Sequence, residues 1–193
     1  MLESLDRSAN QMYELLSDLL QLFRIGPIED NISEFPLLSA VREALKSNQG
    51  AIETLHAEIK LGDMTSIEGQ YQQLVQLFNQ LVQNALKYHT NTGVPSISIQ
   101  ARSIAAEHCM EITVQDNGVG FKKEYADLVF QPLQRLHGGA KFSGTGVGLA
   151  IVKKIVDRHH GTIQVDSEPD RGSTFTIRLP LKQNAVPTAT ALS

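Results

Sequence analysis

Three places in the chain carry groups suited to holding a phosphorylated ligand. They are Asn84, the run Asp116-Asn117-Gly118-Val119-Gly120, and the run Gly144-Thr145-Gly146-Val147-Gly148-Leu149. Glycines at alternate positions let backbone N–H groups approach a phosphate with no Cβ in the way. Leu149 to Val156 follows the second run with helical periodicity, so that run opens a helix. A helix start presents unpaired N–H donors and the positive end of the macrodipole, which suits a triphosphate. The spacing predicts an ATP site.

Two common nucleotide motifs do not fit. A P-loop places Lys-Ser or Lys-Thr directly after its last glycine, and Leu149-Ala150 stand there instead. A dinucleotide fold puts its glycines straight after a first strand, with an acidic residue about 20 positions later, whereas this cluster follows a polar loop. Asp-Asn-Gly by itself is a tight-turn tripeptide. Here it closes an alternating run, where a fixed Asp116 carboxylate can accept a hydrogen bond from the exocyclic amine of adenine and would repel the carbonyl of guanine. Asn84, Lys87 and Tyr88 lie one helical turn apart. They offer an amide oxygen for Mg²⁺, a cation for phosphate and an aromatic face for adenine.

The elements that must position these groups follow from periodicity. Leu5, Met12 and Leu19 recur at heptad spacing beside a second row of Ala9, Leu16 and Phe23, which predicts one amphipathic helix whose stripe faces a partner helix. Ile25-Gly26-Pro27 stops it. Leu38, Val41 and Leu45 begin a second helix, 57–61 alternates like a strand, and 71–88 is a long helix carrying Asn84. Residues 96–100 and 111–115 pair as strands, and the second delivers Asp116. Periodicity is weak from Phe121 to Ser143, which reads as a lid over the nucleotide. Within it Arg135 and Lys141 can neutralise terminal phosphates or stand as solvated charges. His159-His160-Gly161 ends the glycine-opened helix, and the two histidines receive no chemistry. Strands at 162–165 and 172–179 complete the order. It predicts a two-layer α/β sandwich, a mixed sheet covered by helices on one face and preceded by one long amphipathic helix.

With 193 residues, 41% of them hydrophobic, the chain can bury one full core. Its net charge of −4 and scattered Lys and Arg give no footprint for nucleic acid or an anionic membrane. The single cysteine, Cys109, and the lack of an apolar run of about 18 residues point to a reducing cytoplasm with no membrane contact.

These blocks resemble the catalytic and ATP-binding domain of sensor histidine kinases, within the wider GHKL ATPase group. Leu81 to Tyr88 looks like the N box, Asp116 to Gly120 the G1 box, Val129 to Arg135 the F box and Gly144 to Leu149 the G2 box. Arg135-Leu136-His137 and Ser173-Thr174-Phe175 look most like phytochrome-type and related two-component sensor kinases. The resemblance implies division into 1–26, the second helix of a dimerisation hairpin, 27–182, the ATP-binding catalytic domain, and 183–193, a disordered tail. It implies that Asn84, with Gln80, holds Mg²⁺, that Lys87 binds a phosphate, and that Tyr88 and Asp116 bind adenine. Gly118, Gly120, Lys141, Gly144, Thr145, Gly146, Val147, Gly148, Leu149 and Thr174 are the remaining nucleotide contacts it suggests.

Gln80 stands where these kinases often carry Asn, and where hydrolytic relatives carry a water-activating Glu. An amide cannot take that proton, so ATP should be spared until a histidine arrives. Gln80 and Arg135 are the candidates for a catalytic role. Leu133 replaces the second aromatic of the F box, and no histidine matches the phosphoacceptor of the hairpin's first helix. The expectation is a catalytic fragment, or a kinase acting on an acceptor in another chain, with a response regulator as partner and self-association through the first helix. The alternatives are a nucleotide-binding regulatory module without phosphotransfer, a chaperone- or topoisomerase-type ATPase, and a serine kinase of the same fold.

Overall fold

The computed structural model describes residues 2–26, 32–90, 93–136 and 144–183. Along them the chain forms α1 (Leu2–Arg24), β1 (Ser33–Pro36), α2 (Leu37–Ser47), α3 (Gln49–Thr54), β2 (Glu58–Leu61), β3 (Ser66–Gly69) and α4 (Tyr71–Lys87). There follow β4 (Ser96–Ile104), β5 (Cys109–Asp116), α5 (Gly148–Arg158), β6 (Thr162–Glu168) and β7 (Gly172–Pro180). Five strands make one sheet in the order β2-β4-β5-β7-β6, with β2 parallel to β4 and the other pairs antiparallel. β1 and β3 form a separate antiparallel pair. The sheet is therefore mixed and the expected strands are present, while β1, β3 and α3 went unforeseen. Segments as short as Ser33–Pro36 and Ser66–Gly69 carry too little alternation to be read.

Alternation divides the two faces of the sheet. Ile97 and Ile99 of β4, Ile112 and Val114 of β5, and Phe175 and Ile177 of β7 are buried and share the inner face by register. Helices α2, α4 and α5 supply the opposing layer, with Leu37, Phe78, Leu81, Ile151 and Ile155 all buried in the same cluster. Truncating a ring such as that of Phe78 there costs about 3–5 kcal/mol. The outer face is polar. On it Glu111 receives Arg102 at 2.5 Å and Arg178 at 2.8 Å across three strands. Arg102, against the opposing effect of burial, and then Arg178 hold the Glu111 carboxyl below its ordinary range.

The apolar residues of α1 are split between two environments, and among the described residues only Leu19 of the two predicted rows faces the core. Leu15, Leu19 and Leu22 pack against the core, and Lys154 Nζ donates to the Leu22 carbonyl at 2.7 Å. Met12, Tyr13, Leu16, Leu20 and Phe23 are exposed. Leu19 of the first heptad row thus meets the chain's own domain, whereas Met12, Leu16 and Phe23 do not. At the other end Gln183, expected in a disordered tail, is buried, and its N–H donates to the Glu68 carboxylate at 3.2 Å. Its neighbour Leu181 is bonded to both Glu68 and His108, which carries the ordered chain past Lys182. Residues 184–193 lie outside the described residues.

Candidate functional site

Strand parity brings Asp116 to the inner face. It follows Val114 by two positions and pairs with Ile97, so its carboxylate turns toward the helices. Asp116 Oδ1 accepts the N–H of Gly118 at 2.8 Å and of Ser173 at 3.2 Å. Oδ2 has no partner among the described residues. Burial raises the Asp116 carboxyl above its ordinary pKa, against the opposing pull of those two N–H groups. The side chain of Asn117 serves the fold instead, accepting from Ser96 N–H at 2.8 Å and donating to the Val94 carbonyl at 2.9 Å.

The glycine turn after Asp116 is pinned on two sides. Val119 N–H donates to the Tyr88 carbonyl at the end of α4, and the Val119 carbonyl accepts from Asp170 in the β6–β7 turn, each at 2.8 Å. Gly120 has φ +55°, and a Cβ there would overlap the Glu168 carbonyl. Only glycine fits that crossing.

Two confluent cavities open beside this turn. The inner one, about 80 Å³, has Asp116 at its wall among Tyr88, Phe121, Leu149 and Phe175. The outer one, about 470 Å³, is bordered by Gln80, Lys87, Gly144, Thr145 and Gly148. Asn84, Tyr88 and Leu149 line both, so the amide of Asn84 stands at the junction. Lys87 Nζ lies 4.8 Å above the Tyr88 ring and directly beneath Gly144, where a Cβ would overlap it. α5 starts at Gly148 on the outer wall, and its first-turn N–H groups have no intrahelical partner. The Gln80 amide oxygen comes within 2.6 Å of where a Gly148 Cβ would stand. The inner end is thus mostly apolar, with the Asp116 carboxylate, Ser173 and Arg135 as polar groups on its border, and the other carries a cation, amide oxygens and a helix N-terminus. A flat amine-bearing base fits the first, and phosphates fit the second.

Of the stretch expected as a lid, residues 121–136 are described and 137–143 lie outside the described residues. Val129 is buried, and the Phe130 ring packs edge-on against Phe175, with centroids 6.5 Å apart. Leu133 N–H donates to the Gly146 carbonyl at 2.9 Å, which ties the stretch before the second glycine run to that run. Arg135, expected at the terminal phosphates, borders the inner cavity instead. Lys141 lies outside the described residues.

Two expectations shift by one position or one role. Thr174 pairs with Gln115 and shares its outer face, so it lines neither cavity; Ser173 and Phe175, of opposite parity, line the inner one. Val147 is fully buried and contributes through its N–H, which donates to Thr145 Oγ1 at 3.4 Å. Parity along Gly172–Leu179 was a usable signal for Ser173. Nothing local pointed to Tyr13, Glu14, Ser17 and Asp18 of α1, which border the outer cavity. Asp18 accepts the Thr145 hydroxyl at 2.5 Å.

A family profile described as histidine kinase-, DNA gyrase B- and HSP90-like ATPase matches residues 69–183, which span α4, both glycine runs and the sheet from β4 to β7. The chain belongs to this ATPase family. The phytochrome-like protein Cph1 of Synechocystis sp. (strain ATCC 27184 / PCC 6803 / Kazusa) is 33% identical over 170 residues, covering 88% of this chain and 22% of that protein. The chain therefore spans about a fifth of that relative's length. Among solved structures, full-length ShkA in complex with AMPPNP has a TM-score of 0.75 at 20% identity, over 92% of this chain and 37% of that one. Histidine kinase ThkA in complex with the response regulator protein TrrA has a TM-score of 0.71 at 18% identity, over 93% and 50%. These two likenesses establish the shared fold of the family's catalytic domains. Among the described residues no helix is long and apolar enough to cross a membrane.

Proposed function

We propose that this chain is the ATP-binding catalytic part of a two-component sensor histidine kinase, transferring the γ-phosphoryl of ATP to a histidine on a helical hairpin. The observation that carries this reading is the pair of joined cavities, with Asp116 Oδ2 at the apolar end, Lys87 and the α5 N-terminus at the polar end, and Asn84 between them. Adenine enters the inner cavity against Phe121, Phe175 and Leu149 and donates its amine to Asp116. The phosphates run past Asn84 toward Lys87 and Gly144–Gly148. Catalysis is then mostly positioning and charge neutralisation.

Mg²⁺ takes hard oxygen ligands and shares them with substrate phosphates. The amide oxygens of Asn84 and Gln80, both bordering the outer cavity, match that chemistry. A bound Mg²⁺ would neutralise phosphate charge there. Gln80, an amide, has no proton-accepting role toward water, which favours transfer over hydrolysis. We assign residues 1–26 to the second helix of the hairpin, 27–182 to the catalytic domain, a response regulator as downstream partner, pairing of two copies through the exposed side of α1, and a cytoplasmic location.

The test is incubation of the chain with labelled ATP·Mg²⁺ and a helical-hairpin protein bearing a phosphoacceptor histidine. The expected product is an acid-labile, base-stable phosphoryl bond on the hairpin, with slow ATP turnover when the hairpin is withheld. An acid-stable product would mean serine chemistry. ATP binding with no transfer would mean a regulatory nucleotide module.

A further inference from the structure

Helix α1 borders the phosphate end of the site with Tyr13, Glu14, Ser17 and Asp18, and Asp18 hydrogen-bonds to it. Thr145, in the second glycine run, gives its hydroxyl proton to Asp18 Oδ2 at 2.5 Å and accepts Val147 N–H at 3.4 Å on the same oxygen. A hydroxyl has one proton to donate. While Asp18 holds it, Thr145 cannot offer it to a phosphate. Asp18 and Glu14 both border the outer cavity, so a docked α1 sets two carboxylates facing the space a triphosphate would fill.

We propose that the Asp18–Thr145 contact is a nucleotide-sensitive latch: phosphates entering the outer cavity take the Thr145 hydroxyl and repel Asp18, loosening the packing of α1 on the catalytic domain. The proposal rests on the nucleotide reading above. The glycine run is placed to transmit the change, because it also touches Lys87 through Gly144, Gln80 through Gly148 and Leu133 and Gln134 through Gly146. The other tethers of α1 stand clear of the cavity. Lys154 Nζ donates to the Leu22 carbonyl and Gln76 to the Gln21 amide oxygen, both beyond Asp18, while Leu15, Leu19 and Leu22 pack on the core on either side of it. They keep the helix in place while the Asp18 side chain lets go of Thr145. Linkage makes the effect reciprocal, so a docked α1 must weaken nucleotide binding by the factor by which nucleotide loosens α1.

The experiment compares the full chain with its Asp18→Ala variant by calorimetric titration with Mg²⁺·AMPPNP. In parallel, a pulsed-dipolar distance is measured between spin labels at Met12→Cys and Gln164→Cys in a Cys109→Ser background. The variant is expected to bind about fivefold or more tightly than the parent. The label distance should lengthen or broaden with nucleotide in the parent, and should already do so without nucleotide in Asp18→Ala. Equal or weaker binding by the variant together with an unchanged distance in the parent overturns the latch and leaves the ATP site standing. Binding by neither protein overturns the ATP site, and the latch falls with it.

Discussion

Ser173 N–H meets Asp116 Oδ1 at 3.2 Å, joining β7 to the end of β5 through a side chain instead of a ladder bond. Together with the Gly118 N–H at 2.8 Å, it consumes one carboxylate oxygen and leaves the other for a ligand. The same side chain therefore shapes the turn and presents the acceptor.

Asp116→Asn separates those two roles. An amide oxygen still accepts from Gly118 and Ser173, but its NH₂ now faces the adenine amine, donor against donor. Losing a charged hydrogen bond costs about 1.5–3 kcal/mol, so ATP affinity measured by calorimetry should fall roughly ten- to a hundredfold. The melting temperature should stay level or rise, since a buried charge has been removed.

The raised carboxyl of Asp116 also sets a sign for pH. A group whose folded pKa lies above its unfolded value contributes stability that is full below the unfolded value and lost as pH rises through the folded one. Ligand binding runs the other way, because adenine needs the ionised form. ATP affinity should weaken on acidification from a higher pH than an ordinary aspartate would give, and Asp116→Asn should abolish that dependence.

Lys87→Met tests the polar end alone. Removing the ammonium beneath Gly144 takes away the proposed phosphate partner and leaves the inner cavity, which Lys87 does not line, untouched. Competition titrations should show ATP weakened about tenfold, on the scale of one hydrogen bond to a charged group, while adenosine binds as before. An equal loss for both ligands would place the phosphates elsewhere.

Two glycines should fail in different ways. Gly120→Ala drives a Cβ into the Glu168 carbonyl at positive φ, so denaturant unfolding should report a loss of about 1–3 kcal/mol or more. Gly146→Ala meets the Gln134 carbonyl at 2.6 Å beside the outer cavity, with φ +75°. It should unsettle the glycine run and its contact with Leu133 and Gln134, weakening nucleotide binding with a smaller change in unfolding.

His159 predicts acid sensitivity remote from the site. It is fully buried, its Nε2 accepts Gln70 N–H at 3.1 Å, and its Nδ1 donates to the Ile155 carbonyl at 2.8 Å, so the ring is neutral with its proton on Nδ1. Burial depresses its pKa, with the Ile155 bond opposing and His160 adding to the effect. Stability from this group is full above the ordinary histidine value and lost as pH falls toward the depressed one. Thermal melts should drop as pH falls below the ordinary histidine value of about 6.5. His159→Leu should be less stable at neutral pH, with Gln70 N–H left unpaired, and should show a flatter slope.

Local periodicity carried most of the architecture. Alternation along β4, β5 and β7 marks an inner face, and helical spacing in α4 sets Asn84, Lys87 and Tyr88 one turn apart. Both signals depend on residues a few positions apart, so they survive without knowledge of the fold. The same parity, read one residue more carefully, would have replaced Thr174 by Ser173. The short pair β1 and β3 and the burial of Gln183 had no such signal, because their partners lie in distant segments.

The chain's residue order by itself determined that glycine-rich turns, a strand-end aspartate and an amide-bearing helix belong to one phosphate-binding fold. Only the tertiary structure decided which atoms meet. Asp18 reaches Thr145 across 127 positions, and Gly120 passes beneath Glu168. Such contacts come from how helices and strands dock. Docking is a sum over many apolar contacts spread through the core, and no short stretch of sequence contains it.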